Sequence, residues 1–77
     1  MLNWDVLHEM DDEKGNPTGW SCELSNPEAV EIYGKYLWIS KYSDKKYSVE
    51  YMQGGEYVTL KNFTSLKAAK RYAEIFS

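Results

Sequence analysis

Cysteine is nearly missing from this chain: Cys22 is the only one among 77 residues. An intrachain disulfide is therefore excluded, and with it the usual support of a small secreted domain. That points to a reducing compartment, the cytoplasm. Histidine is equally scarce, with His8 alone. One His and one Cys cannot close a four-ligand structural zinc site. Any Ser/His/Asp or Cys/His relay would have to run through His8, and no nucleophile elbow or oxyanion motif accompanies it. No run of 18 apolar residues occurs, so no membrane span is expected. Met1-Leu2-Asn3-Trp4-Asp5 has neither the basic start nor the apolar stretch of a signal peptide. The sequon Asn62-Phe63-Thr64 carries no weight in a chain that is not secreted. Internal repeats and low-complexity segments are absent as well.

What is present is apolar and aromatic. Hydrophobic residues make up 43% of the chain, too many for a disordered tail. Seven Tyr, three Trp and two Phe are many for so small a core, and Tyr and Trp suit half-exposed positions. The length allows one domain, residues 1–77, that buries only roughly 60% of its unfolded surface. The net charge of -3 conceals an asymmetry. Residues 1–31 carry eight acids and one base, and residues 32–77 carry four acids and eight bases. One end is acidic and the other basic.

Trp4, Val6, His8 and Met10 alternate with Asp5, Leu7 and Glu9, which predicts a strand over 4–10. Asp11 to Gly19 reads as a charged loop. Trp20, Cys22 and Leu24 alternate again, so residues 4–24 predict a hairpin with a long acidic connection. Ser25-Asn26-Pro27-Glu28 is a helix start and Gly34 a helix stop, giving one or two turns over 27–33, with a strand through Ala29–Tyr33 as the alternative. Lys35 to Tyr42, Tyr47 to Tyr51 and Tyr57 to Lys61 predict a three-stranded meander, its second turn at Gly54-Gly55. A cap at Thr64-Ser65 opens a helix over 65–76, with Leu66, Ala69, Tyr72, Ala73 and Phe76 on one stripe. The expected fold is α+β: an antiparallel sheet of four to five strands, order ββ(α)βββα, with the C-terminal amphipathic helix on one face.

Segment 36–76 resembles, in layout, the three-strand-plus-helix arm-binding domains at the amino end of many tyrosine recombinases. Tyr47, Val49, Tyr51, Gly55, Phe63, Ala69 and Ala73 carry that resemblance. The pattern mainly encodes a core, the acidic first third has no counterpart in it, and no family membership follows.

No motif specifies a reaction, a metal or a cofactor, and an enzyme is not expected. His8 reads as a half-buried structural residue of the first strand, with Cys22 in the next strand as its one conceivable neighbour. Asp11, Asp12 and Glu13 lack the alternating oxygen ligands of a calcium loop and read as a solvated acidic loop. Gly54-Gly55 is followed by no Lys-Ser/Thr and opens no helix, which excludes a phosphate loop.

Two surfaces remain. Tyr36-Leu37-Trp38-Ile39 is apolar on both faces of its strand, while the C-terminal helix can cover only one. Either the N-terminal segment packs over the second face or another protein does. The expectation placed first is a non-catalytic protein-interaction module of the type common among accessory inhibitors and regulators of phages and mobile elements. Tyr36, Trp38, Tyr42, Tyr47 and Tyr51 would dock a partner protein, or a second copy as a homodimer, and Asp11, Asp12 and Glu13 would steer a basic partner. The alternative is a nucleic-acid-binding module using Lys41, Lys45, Lys46, Lys67, Lys70 and Arg71, against which the acidic balance of the chain counts.

Overall fold

Local signals along the chain build each element. In a computed structural model that describes residues 2–77, the order is β1 (Trp4–Val6), β2 (Gly19–Glu23), α1 (Pro27–Tyr33), β3 (Tyr36–Ser43), β4 (Lys46–Gln53), β5 (Glu56–Phe63) and α2 (Leu66–Ala73). Single 3-10 turns occur at His8–Met10 and Glu74–Phe76. The strands form one antiparallel sheet in sequence order, β1-β2-β3-β4-β5. This is the expected α+β architecture with a C-terminal helix. None of the described helices is long and apolar enough to cross a membrane.

The cap residues explain both helices. Asn26 accepts a hydrogen bond from the Glu28 N–H at 3.0 Å, Pro27 occupies the first turn, and Gly34 ends α1 at φ +90°. Segment 27–33 is thus helix and not strand. Ser65 caps α2 by accepting from the Ala68 N–H at 3.2 Å. Gly54 and Gly55, at φ +60° and +84°, form a two-residue hairpin turn that pairs Gln53 with Glu56.

The first strand is shorter than its alternation predicts. It stops at Val6, and His8–Met10 turns away as a 3-10 segment. The returning loop takes the backbone instead: the Leu7 N–H donates to Gly19 O, and Thr18 Oγ1 donates to Met10 O. Met10 closes on Gly19 so tightly that a Cβ there would sit 2.7 Å from its sulfur. A larger residue at Gly19 would have to push the Met10 side chain aside. His8 is consequently exposed rather than half-buried and pairs with Asp11 at 3.3 Å.

Both helices pack on the same side of the sheet. Trp20, Cys22, Leu24, Leu37, Ile39 and Val49 point to that side and are sealed with Ala29 of α1 and Ala69 and Ala73 of α2. Tyr33 of α1 meets Tyr51 and Phe76 edge-on, and Phe63 meets Tyr72. The Leu2 N–H donates to the Glu74 carboxylate at 2.9 Å, tying the N-terminal segment to the C-terminal end. The N-terminal strands widen the sheet, while Met10, lying over Gly19, covers one corner of its second face.

Two β-bulges adjust the strands. Tyr42 is the extra residue of β3, between the pairs Lys41–Tyr47 and Ser43–Lys46. Leu60 is the extra residue of β5, between Thr59–Glu50 and Lys61–Val49. The second bulge resets the alternation. It lets Leu60 and Phe63 join the core while Tyr57 and Thr59 stay on the opposite side.

Candidate protein-docking face

The helix-free face is built by alternate residues of five strands. Registers define three rows across it. Asp5, Ser21, Trp38, Glu50 and Thr59 lie side by side in the central row. Glu23 stands beside Tyr36 in the row toward the Gly54-Gly55 turn, and Met52 beside Tyr57. Gly19, Ser40, Ser48 and Asn62 form the third row. A single aromatic stripe results: Trp38 lies 6.1 Å from Tyr36 and 5.3 Å edge-on from Tyr57, by ring centroids. Tyr36 and Tyr57, which flank Trp38, are 41% and 54% exposed, and Met52 is exposed beside them.

Beside this stripe sits a buried acid. Glu50 is 2% exposed although no helix covers it. Its carboxylate accepts from the Ser40 hydroxyl at 2.7 Å and the Tyr42 hydroxyl at 2.6 Å. None of the ion pairs among the described residues includes it. Tyr42 itself is 61% exposed and leans back from its bulge to reach Glu50. That hydrogen bond, reinforced by desolvation, holds the Tyr42 phenol above its ordinary titration range. Ser48, also buried, bonds to Asn62 in the next row.

The five tyrosine and tryptophan positions predicted to form one surface divide between two. Tyr36, Trp38 and Tyr42 are on the helix-free face. Tyr47 and Tyr51 are on the helix side, where Tyr47 packs 6.2 Å from Trp20 and Tyr51 against Tyr33. Strand alternation decides this: Tyr36, Trp38 and Tyr42 share the phase of Glu50, while Tyr47 and Tyr51 share that of buried Val49. Tyr57, Met52 and Glu50 take the vacated places. The Gly54-Gly55 turn could have revealed them, because it sets Met52 opposite Tyr57 and Glu50 opposite Thr59.

The acidic loop is elsewhere. Asp12, Glu13, Lys14 and Asn16 line a shallow depression with Lys41 and Asp44, at the far end of β3. At about 3.3 Å per residue, Trp38 and Asp44 are roughly 20 Å apart along the strand. Asp12 accepts from the Asn16 and Lys14 N–H groups, which lowers its pKa below the usual carboxylate range. These bonds give the loop a local, turn-forming role. Asp12 and Glu13 therefore do not border the aromatic stripe, and Asp11, expected in a solvated loop, is instead partly buried beside His8, with its Oδ1 unpartnered. No group of three or more potential metal-ligating side chains occurs among the described residues.

The six basic candidates scatter as well. Lys41 faces the helix side, over the Tyr47 ring, and pairs with Asp44 at 3.5 Å. Lys46 lies over Tyr42, and Lys45 is in the β3–β4 turn. Lys67, Lys70 and Arg71 belong to α2, on the other side of the sheet from Lys46. Cys22 is sealed in the core, where burial pushes its thiol up to about 11, whereas His8 is exposed at the surface; the two are not brought together as a nucleophile and base.

No protein-family model, no curated protein and no solved structure matches this chain.

Proposed function

We propose that the chain is a non-catalytic protein-interaction module, of the accessory inhibitor or regulator kind, that docks a basic partner protein on the helix-free face of its sheet. The observation carrying this reading is the exposed stripe Tyr36-Trp38-Tyr57 with Met52, on a face that both helices leave uncovered. Contiguous exposed aromatics on a small domain mark interaction sites, and Trp and Tyr are the commonest interface anchors. Charge supports the choice of partner. Of the acids on this face, Asp5 and Glu50 are in no ion pair among the described residues, whereas Glu23 is paired with Lys35. The Lys35 ammonium lies over the Tyr36 ring, and the other base is Lys46 at the far end. A second copy fits less well, because a face-to-face dimer would bring two Glu50 carboxylates toward one another.

The test is affinity capture from the source cells with wild type and a Trp38→Ser/Tyr57→Ser chain, both checked for folding by circular dichroism. A specific protein retained by the first and lost by the second is expected. A partner retained equally by both, or no specific partner at all, overturns the reading.

A further inference from the structure

We infer that the buried Glu50 carboxylate is the receiving group for an arginine side chain of the docked protein, held between Trp38 and Tyr42. This rests on the docking reading above and specifies its chemistry.

A carboxylate removed from water is stabilised by an opposite charge or by several donors. Glu50 has two hydroxyl donors and no ion pair among the described residues. No helix covers it, and one of its two donors, Tyr42, is itself 61% exposed, so only an exposed side chain separates that oxygen from solvent. Charge-assisted bonds are worth most in that setting.

The surroundings select the cation. Trp38, Ser40 and Tyr42 follow one another on the same side of β3, with Ser48 opposite Ser40. Two small hydroxyl residues thus separate two aromatic side chains. A guanidinium is planar, weakly hydrated and able both to stack on rings and to fork onto a carboxylate. The ammonium of lysine is compact and strongly hydrated, and gains less from such walls.

The two oxygens of Glu50 also differ. Oε1 takes the hydroxyl of Ser40, whose short side chain is anchored in the sheet. Oε2 takes the hydroxyl of Tyr42, an exposed ring at a bulge. Tyr42 is the exchangeable donor. It satisfies the acid in the free chain and swings aside when arginine arrives, its ring remaining as a wall.

The test titrates the full chain, labelled with nitrogen-15, with the capped peptide Ac-Gly-Ala-Arg-Ala-Gly-NH2 and with versions carrying citrulline or lysine for arginine. Citrulline keeps the shape and removes the charge. The arginine peptide should shift the Trp38 indole and the Ser40 and Glu50 amides. It should half-saturate at a concentration about tenfold below that of the citrulline peptide, the ratio one charge-assisted bond supplies. Glu50→Gln should erase that ratio. Should Glu50→Gln lose its amide dispersion, Tyr42→Phe decides: it frees Oε2, so arginine must bind at least as tightly as to wild type. Equal binding of arginine and citrulline, or of arginine and lysine, overturns the inference, as do shifts confined to residues 11–16 or weaker binding by Tyr42→Phe. These outcomes leave the docking reading standing, because it is decided separately by capture with Trp38→Ser/Tyr57→Ser.

Discussion

At Glu50 the demands of stability and of the proposed recognition pull apart. Glu50 is in no ion pair among the described residues, so an apolar replacement of similar volume removes a buried charge that lacks an opposite partner. Glu50→Met should therefore leave the urea midpoint unchanged or raise it, while partner capture falls. A chain that unfolds on this change would make Glu50 a structural residue. Tyr42 gives a second test at the same scale. Its phenol titrates above the ordinary range because ionisation would give up the hydrogen bond to Glu50, cost desolvation and set a phenolate against that carboxylate. The protonated form is favoured in the folded chain, so the stability it lends is complete below the unfolded value. That stability is lost as pH rises through the folded one. Ultraviolet titration should show one tyrosine ionising last, and Tyr42→Phe should remove that phase. Cys22, with its thiol pushed up to about 11, should resist iodoacetamide at pH 8 and take one equivalent in guanidinium.

At the level of elements, the strands that carry the proposed docking face are also the ones that hold the core. Leu37, Ile39 and Val49 are fully buried behind it. Leu37→Ala should cost about 2–5 kcal/mol by urea denaturation. Of a total of roughly 4–12 kcal/mol for a chain of this length, that is a large share. Ser65→Ala should cost about 1 kcal/mol through the lost cap of α2. Elements with strong local signals were legible in the sequence: Asn26-Pro27 and Gly34 around α1, Gly54-Gly55 between β4 and β5, the apolar stripe of α2. The end of β1 was not, because it depends on Met10 closing over Gly19, a contact between residues whose spacing carries no periodic signal. Membership of the helix-free face was half legible. Alternation within β3 sets Tyr36 and Trp38 on one side, but only cross-strand register separates Tyr47 and Tyr51 from Tyr57 and Glu50.

For the molecule as a whole, the separation of charge along the chain is partly folded away. Lys41 and Asp44 meet the acidic loop at one end of the sheet, and Lys35 pairs with Glu23 at 3.7 Å near the other. The acidity that matters for a partner is that of the open face. Partner binding should weaken as salt rises, yet survive better in Asp12→Asn than in Glu50→Gln. Light scattering of the purified chain at low micromolar concentration should report a monomer.

The extra residue at Leu60 has one more effect. Strand β5 is an eight-residue border of the sheet, and its outward amides and carbonyls could recruit identical chains into an endless ribbon. The kink at Leu60 breaks the even spacing that such growth would need. Deleting Leu60 would straighten the border while leaving Phe63 on its core side opposite Tyr47, and thioflavin-positive fibrils should follow where the unaltered protein stays in solution.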